Sequence, residues 1–190
     1  MRKECPQQTL LFFLALVVPG LLLGESLRNP TWATPMELAG VENLHQVEAG
    51  LYRSGQPTAE GFKNLSALGI RTVLSLRSNH TDLELTEGTG LCLLKVPMAA
   101  WYIRDADVIA ALRILKNRKS EEPLLVHCWH GADRTGLVIG AYRIICQNWT
   151  VEAAVDELQN GGFGHHIIFN NITDYLKNMK IEKIRAEVTQ

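Results

Sequence analysis

Pro123-Leu-Leu-Val-His-Cys-Trp-His-Gly-Ala-Asp-Arg-Thr-Gly136 is the stretch on which the fold turns. Pro123 opens a short apolar run, Leu124 to His127, that predicts a strand. The Gly-containing segment from Cys128 to Arg134 predicts a loop, and Thr135 to Cys146 is apolar on nearly every side, as a helix at the centre of a domain is. On the N-terminal side, Ile70 to Leu76 and Leu91 to Val96 predict two more strands, and their continuous apolar character predicts interior strands covered on both faces. Phe62, Leu65 and Leu68 share one face of a helix that Gly69 ends, and Val108, Ala111, Leu112 and Leu115 mark a second helix that begins at Asp105. Beyond the central helix the pattern predicts helices over 151–159 and 172–188, and Ser78 to Gly90 predicts a polar loop. Strands alternating with helices predict a single α/β domain, a small central sheet flanked by helices.

The remaining composition sets bounds. The chain has 190 residues, 46% hydrophobic and 21% charged, with 19 Lys+Arg against 20 Asp+Glu and a formal charge of −1. Those values exclude disordered, collagen-like and coiled-coil classes, and they leave no basic surface for nucleic acid. Arg2 and Lys3 precede the uncharged run Leu10 to Gly24, which is interrupted by Pro19-Gly20 and shorter than the ~20 residues that span a bilayer. Residues 1–24 are therefore expected to be a signal peptide, with export to the periplasm, and the alternative is a membrane anchor formed by the same segment left uncut. Membrane contact is expected only through that segment. Residues 25–45, with Asn29-Pro30 and Thr34-Pro35, read as a linker or N-terminal arm, and 46–190 as the catalytic domain. Removing the signal takes Cys5 and leaves Cys92, Cys128 and Cys146, an odd number of thiols. Cys92 and Cys146 lie in apolar runs and read as core residues, with a Cys92 to Cys128 disulfide left open.

The chemistry sits in the opening stretch. Cys128 and Arg134 bracket a loop that leads into a helix, an arrangement suited to holding a phosphate dianion over a thiolate. Successive backbone N–H groups from Trp129, His130, Gly131, Ala132 and Asp133 through Arg134 and Thr135 converge into an anion nest, and the helix N-terminus adds its partial positive charge. The same donors favour a thiolate. Arg134 grips two phosphate oxygens through its planar fork, and Thr135 is placed to hydrogen-bond the sulfur. His130, Asp133, His165 and His166 have metal-ligand chemistry but no compact recurrent spacing, so they read as loop polarity, with no metal and no cofactor expected.

With His127-Cys128, five residues, Arg134 and Thr135, the chain resembles the protein tyrosine and dual-specificity phosphatases, whose signature is His-Cys-x5-Arg followed by Ser or Thr. Leu51-Tyr-Arg-Ser-Gly-Gln-Pro57, the Val96-Pro97 strand end and Gly161-Gly-Phe-Gly164 extend the likeness, over about residues 47–175, to small exported bacterial enzymes, the TpbA-like tyrosine phosphatases. The resemblance implies a four- or five-stranded sheet with helices on both sides, a phosphocysteine intermediate, no metal, and a phosphorylated protein or peptide as substrate. Phosphotyrosine is the expected target, extending to phosphoserine and phosphothreonine. The alternatives are an inositol polyphosphate or phosphoinositide phosphatase, disfavoured by a loop with no Lys or Arg before Arg134, and a phosphate-binding module without catalysis.

The family places an Asp just past the strand that precedes the long helix, where it protonates the leaving oxygen. Here that place reads Pro97-Met-Ala-Ala-Trp101, without a carboxylate. Asp105 is carried forward as the catalytic acid ahead of Asp107, against the competing reading that Asp105 caps the helix it begins.

Overall fold

Leu124–His127 forms the centre of a mixed six-stranded sheet in a computed structural model that describes residues 28–119 and 121–190. The expected signal segment lies outside the described residues. The strands are β1 (Thr34–Pro35), β2 (His45–Glu48), β3 (Leu51–Ser54), β4 (Thr72–Ser75), β5 (Cys92–Lys95) and β6 (Leu124–His127), in the order β1-β2-β3-β6-β4-β5. The first three pair antiparallel, and β3, β6, β4 and β5 run parallel. The helices are α1 (Ala59–Leu68), α2 (Asp105–Lys116), α3 (Asp133–Cys146), α4 (Val151–Asn160), α5 (Asn170–Asn178) and α6 (Ile181–Thr189).

Successive residues of a strand point to opposite faces, and β6 shows the consequence. Leu124 and Val126 join the main core with residues of α2 to α6, whereas Leu125 joins Phe62 and Leu65 of α1 on the other face. Thr58 Oγ1 caps α1 by accepting from Gly61 N at 3.1 Å. Gly69, at φ 105°, ends the helix in the left-handed region that favours glycine. The central helix is α3, with buried residues on every side, as its sequence predicts.

The sheet has six strands where the resemblance implied four or five, because β1 and β2 extend it antiparallel beyond β3, and three further expectations change. β5 is not an interior strand: it is the sheet edge, and Cys92, Leu94 and Lys95 are exposed. An apolar run says that a strand forms without saying how many neighbours it has, and a charged residue such as Lys95 suits an open edge. The single helix expected over 172–188 is two, because Met179 is extended at φ −61°, ψ 142°. The break lets α5 pack on α3 and α4 while α6 turns to pack on α2 and α3.

The third change concerns the described part of the expected arm, which is packed. Ala33 is fully buried and its N–H donates to Glu157 Oε1 at 2.7 Å, while Arg28 reaches the carbonyls of Ala33 and Gly161. The cause is a buried carboxylate. Glu157 on α4 accepts two 2.8 Å bonds from Arg143 of α3, and Ala33 supplies the further donor that a charge removed from water requires.

Candidate active site

The parallel strands bring their C-terminal ends to one edge, where Ser54, His127, Ser75 and Lys95 lie side by side in register. The loops that follow β3, β4, β5 and β6 therefore meet there, the usual place for a ligand in a parallel sheet. Cys128 leaves β6 at this edge with 2% exposure, and Asp133 begins α3.

Each carbonyl from Cys128 to Ala132 is held by a partner. His127 Nδ1 lies 3.2 Å from Cys128 O, Gln56 N donates to Trp129 O at 2.9 Å, and Asn43 Nδ2 donates to His130 O at 2.8 Å. Arg53 Nη2 donates to Gly131 O at 2.7 Å, and Gly136 N to Ala132 O at 3.0 Å. With its carbonyls so engaged, the loop from Cys128 to Ala132 is held in one conformation, the condition for the anion nest that the motif predicts. Gly131 sits at φ 75°, and a Cβ there would lie 2.5 Å from Gly55 N, so glycine is required both by conformation and by space. The Thr135 hydroxyl is fully buried and finds no hydrogen-bond partner among the described residues, which leaves it for the sulfur or a bound oxygen.

Several of these supports had no signal in the chain order. Arg53 belongs to the quoted Leu51 to Pro57 segment, yet nothing local shows that it is 1% exposed beneath the loop. Its guanidinium lies 3.6 Å from the centre of the Phe163 ring, which is buried between Gly162 and Gly164, both at positive φ. Burial lowers the Arg53 pKa to about 10, against the pull of Glu157 and Cys128. Asp82, from the loop after β4, sits 3.0 Å from His127 Nε2 and accepts from Gln56 Nε2 at 2.9 Å. Burial pushes its carboxyl up, but the hydrogen bonds from His127 and Gln56 and the neighbouring His80 outweigh that and hold it at about 2. Asp82 thus locks the strand end that presents Cys128.

A second guanidinium reaches the mouth. Arg77 lies 4.2 Å over the Trp129 ring, donates to Gln56 Oε1 at 2.8 Å, and lines a cavity of ≈ 230 Å³ with Ser78, Asn79, Trp129 and Arg134. Burial lowers its pKa, Asp82 counters that, and nearby Arg134 pushes it down again. No Lys or Arg precedes Arg134 inside the loop, which by itself disfavours highly anionic substrates. The fold adds Arg77 from the segment that follows β4.

Both acid candidates have hydrogen-bonded partners. Asp105 is the first residue of α2 rather than its cap, a position held by Arg104, and Asp105 Oδ1 accepts from Tyr175 Oη at 2.9 Å. Burial and this carboxylate push the Tyr175 hydroxyl pKa up. Asp107 forms a two-pronged pair with Arg104 at 2.8 and 2.7 Å. On the loop where the acid was sought, Trp101 and Tyr102 are 63% and 71% exposed, and the Trp101 ring packs 4.5 Å from Phe169.

Among the described residues Cys92, Cys128 and Cys146 are free. Cys92 pairs in register with Thr72, at the far end of the strands from Cys128 and with β4 between, so a disulfide between them is out of reach. Cys92 is also exposed rather than in the core, as follows from the edge position of β5. Cys146 ends α3, a helix length away from the loop.

The chain is similar to known proteins over most of its length. Residues 39–188 match the model of the tyrosine phosphatase family. The dual specificity protein phosphatase TpbA of Pseudomonas aeruginosa is 33% identical over 188 residues, which cover 95% of this chain and 85% of that protein. A crystal structure of a cysteine-to-serine form of P. aeruginosa TpbA in complex with phosphotyrosine matches with a TM-score of 0.77 at 32% identity, covering 86% of this chain and 99% of that one. The core catalytic domain of a PP-IP phosphatase from S. cerevisiae matches with a TM-score of 0.68 at 27% identity, covering 80% and 96%.

Proposed function

Because this chain belongs to the tyrosine phosphatase family, we propose that it hydrolyses phosphotyrosine in proteins or peptides, extending to phosphoserine and phosphothreonine, through a phosphocysteine intermediate. One observation carries the reading: Cys128 lies at the base of a loop whose carbonyls are held by neighbouring groups while Arg134 stands at its lip. The Cys128 sulfur attacks phosphorus as the bond to the substrate oxygen breaks, and that oxygen leaves with the electron pair and takes up a proton. The loop amides and Arg134 hold the three equatorial oxygens of a loose transition state. Water then attacks the phosphocysteine, releasing phosphate and returning the thiolate.

The second reading, an inositol polyphosphate phosphatase, is favoured by Arg77, which sets a second guanidinium beside Arg134. Initial rates on phosphotyrosine and phosphothreonine peptides and on inositol polyphosphates separate the two. We expect phosphotyrosine to be turned over at least about ten times faster than the others. Preference for an inositol polyphosphate would select the second reading.

Substrate choice follows from the acid. A phenolate leaves with a pKa of about 10, whereas Ser and Thr alkoxides are far more basic and need a proton as they depart. With Asp105 held by Tyr175, the Asp105→Asn protein is expected to keep phosphotyrosine turnover within about threefold of wild type at pH 6. A fall of about 10²-fold, spared for substrates with very acidic leaving groups, would identify Asp105 as the catalytic acid.

Residues 1–24 support a reading of export to the periplasm. The packed arm narrows the cut: Arg28 and Ala33 make buried or partly buried contacts, so the mature N-terminus is expected from Glu25 to Arg28. N-terminal sequencing of the protein from the periplasmic fraction checks this, and an intact Met1 in the membrane fraction would identify an anchor.

A further inference from the structure

On the rim of the phosphate loop the fold gathers imidazoles that are scattered in the chain. Asp133, the residue before Arg134, is buried, and its Oδ2 lies 2.8 Å from His166 Nδ1. Its Oδ1 accepts from His166 N at 3.0 Å and lies 3.0 Å from His165 Nδ1. The His130 and His166 rings stand 5.0 Å apart, and one ligand atom from each of His130, Asp133 and His166 falls within 4.8 Å of the other two. A second observation points the same way. The His165 side chain is 5% exposed beside this carboxylate, yet neither ring nitrogen makes a hydrogen bond of good geometry among the described residues. One buried carboxylate thus faces three imidazoles, more nitrogen donors than a single hydrogen-bonded pair employs.

We propose that His130, Asp133 and His166 bind a divalent cation of the Zn²⁺ class. Two imidazole nitrogens and one carboxylate oxygen form the mixed N/O set that Zn²⁺ accepts at about 2.0–2.2 Å, with a fourth position left for water or a phosphate oxygen. His130 and His166 are exposed, so their rings are free to open the short contacts to the separation that a shared ion needs. The bond from His166 N fixes the carboxylate from behind, and His165 stands beside the same oxygen, the type of support that orients metal ligands. His130 and Asp133 belong to the phosphate loop and His166 to the segment after Gly164. A bound ion therefore joins the two, which spacing along the chain does not reveal.

Calorimetric titration of ZnCl₂ into chelator-treated protein tests the site, using wild type and the Cys128→Ser protein so that the thiolate is removed as a ligand. One ion per chain is expected with the same affinity in both. His130→Ala and His166→Ala, each made in the Cys128→Ser background, are expected to weaken binding by at least about 30-fold, while their melting temperatures and far-ultraviolet spectra show that they fold. MgCl₂ is expected to give no heat of binding, because Mg²⁺ prefers an all-oxygen octahedral shell. Binding that disappears in the Cys128→Ser protein would assign the ion to the thiolate and overturn the proposal. So would a titration with no saturable heat, or undiminished affinity in both histidine variants. None of these readouts depends on phosphatase turnover, so failure of the site and failure of the proposed function are distinguishable.

Discussion

Replacing Cys128 by serine is expected to lower turnover of a phosphotyrosine peptide by about 10⁴-fold or more, the scale of loss when a covalent nucleophile is removed. A serine hydroxyl stays protonated near neutral pH and is a far weaker nucleophile toward phosphorus. The rest of the site is undisturbed. Cys128 is 2% exposed, serine is close to it in size, and the partners that hold the loop carbonyls come from Asn43, Arg53 and Gln56 rather than from the sulfur. The variant should therefore bind the phosphopeptide with nearly wild-type affinity and melt within a few degrees of wild type. Parallel measurements of initial rate, peptide binding and thermal unfolding check this. Retention of a tenth or more of the wild-type rate would remove Cys128 as nucleophile, and loss of binding would mean that the loop is not built as described.

The next largest effect is expected from Arg134→Lys. The guanidinium fork contacts two equatorial oxygens at once, and an ammonium supplies a point charge on a flexible stem. Losing one preorganised donor at developing charge costs roughly 10²- to 10³-fold in rate. Arg77 does not take over, because its guanidinium is held by Gln56 and lies over the Trp129 ring. Steady-state kinetics should show the fall in kcat, with KM also affected by the weaker grip on phosphate. A near-wild-type kcat would show that Arg134 is not the clamp.

These two residues were legible in the chain because the device that they serve is contiguous. Strand, loop and helix follow one another from Leu124 to Cys146, and the N–H groups of a short loop converge whatever lies around them. The helix limits at Asp105 and Gly69 were legible for a similar reason, since periodicity and a left-handed glycine act within one or two turns. Misjudged features depended on neighbours far along the chain. β5 looked like an interior strand because its residues are apolar, but whether a seventh strand covers it is a matter of topology. The helix over 172–188 was read as continuous because no proline or glycine interrupts it, whereas two separate packing surfaces on α2 and α4 demand the break at Met179.

The supports of the site belong to this second group. Asn43 reaches His130 across 87 positions, Arg53 reaches Gly131 across 78, and Asp82 reaches His127 across 45. Arg77, Asp133 with His165 and His166, and the bond that occupies Asp105 are of the same kind. Local order was sufficient for the α/β class and for the strand, loop and helix that carry Cys128 and Arg134, because backbone hydrogen bonding and side-chain periodicity operate over a few residues. Which side chains brace the loop, which second cation enters its mouth and which hydroxyl Asp105 accepts from were settled by strand order and core packing. Those contacts depend on the relative placement of whole elements, and burial energy is roughly proportional to area and carries no direction along the chain, so no short pattern records them.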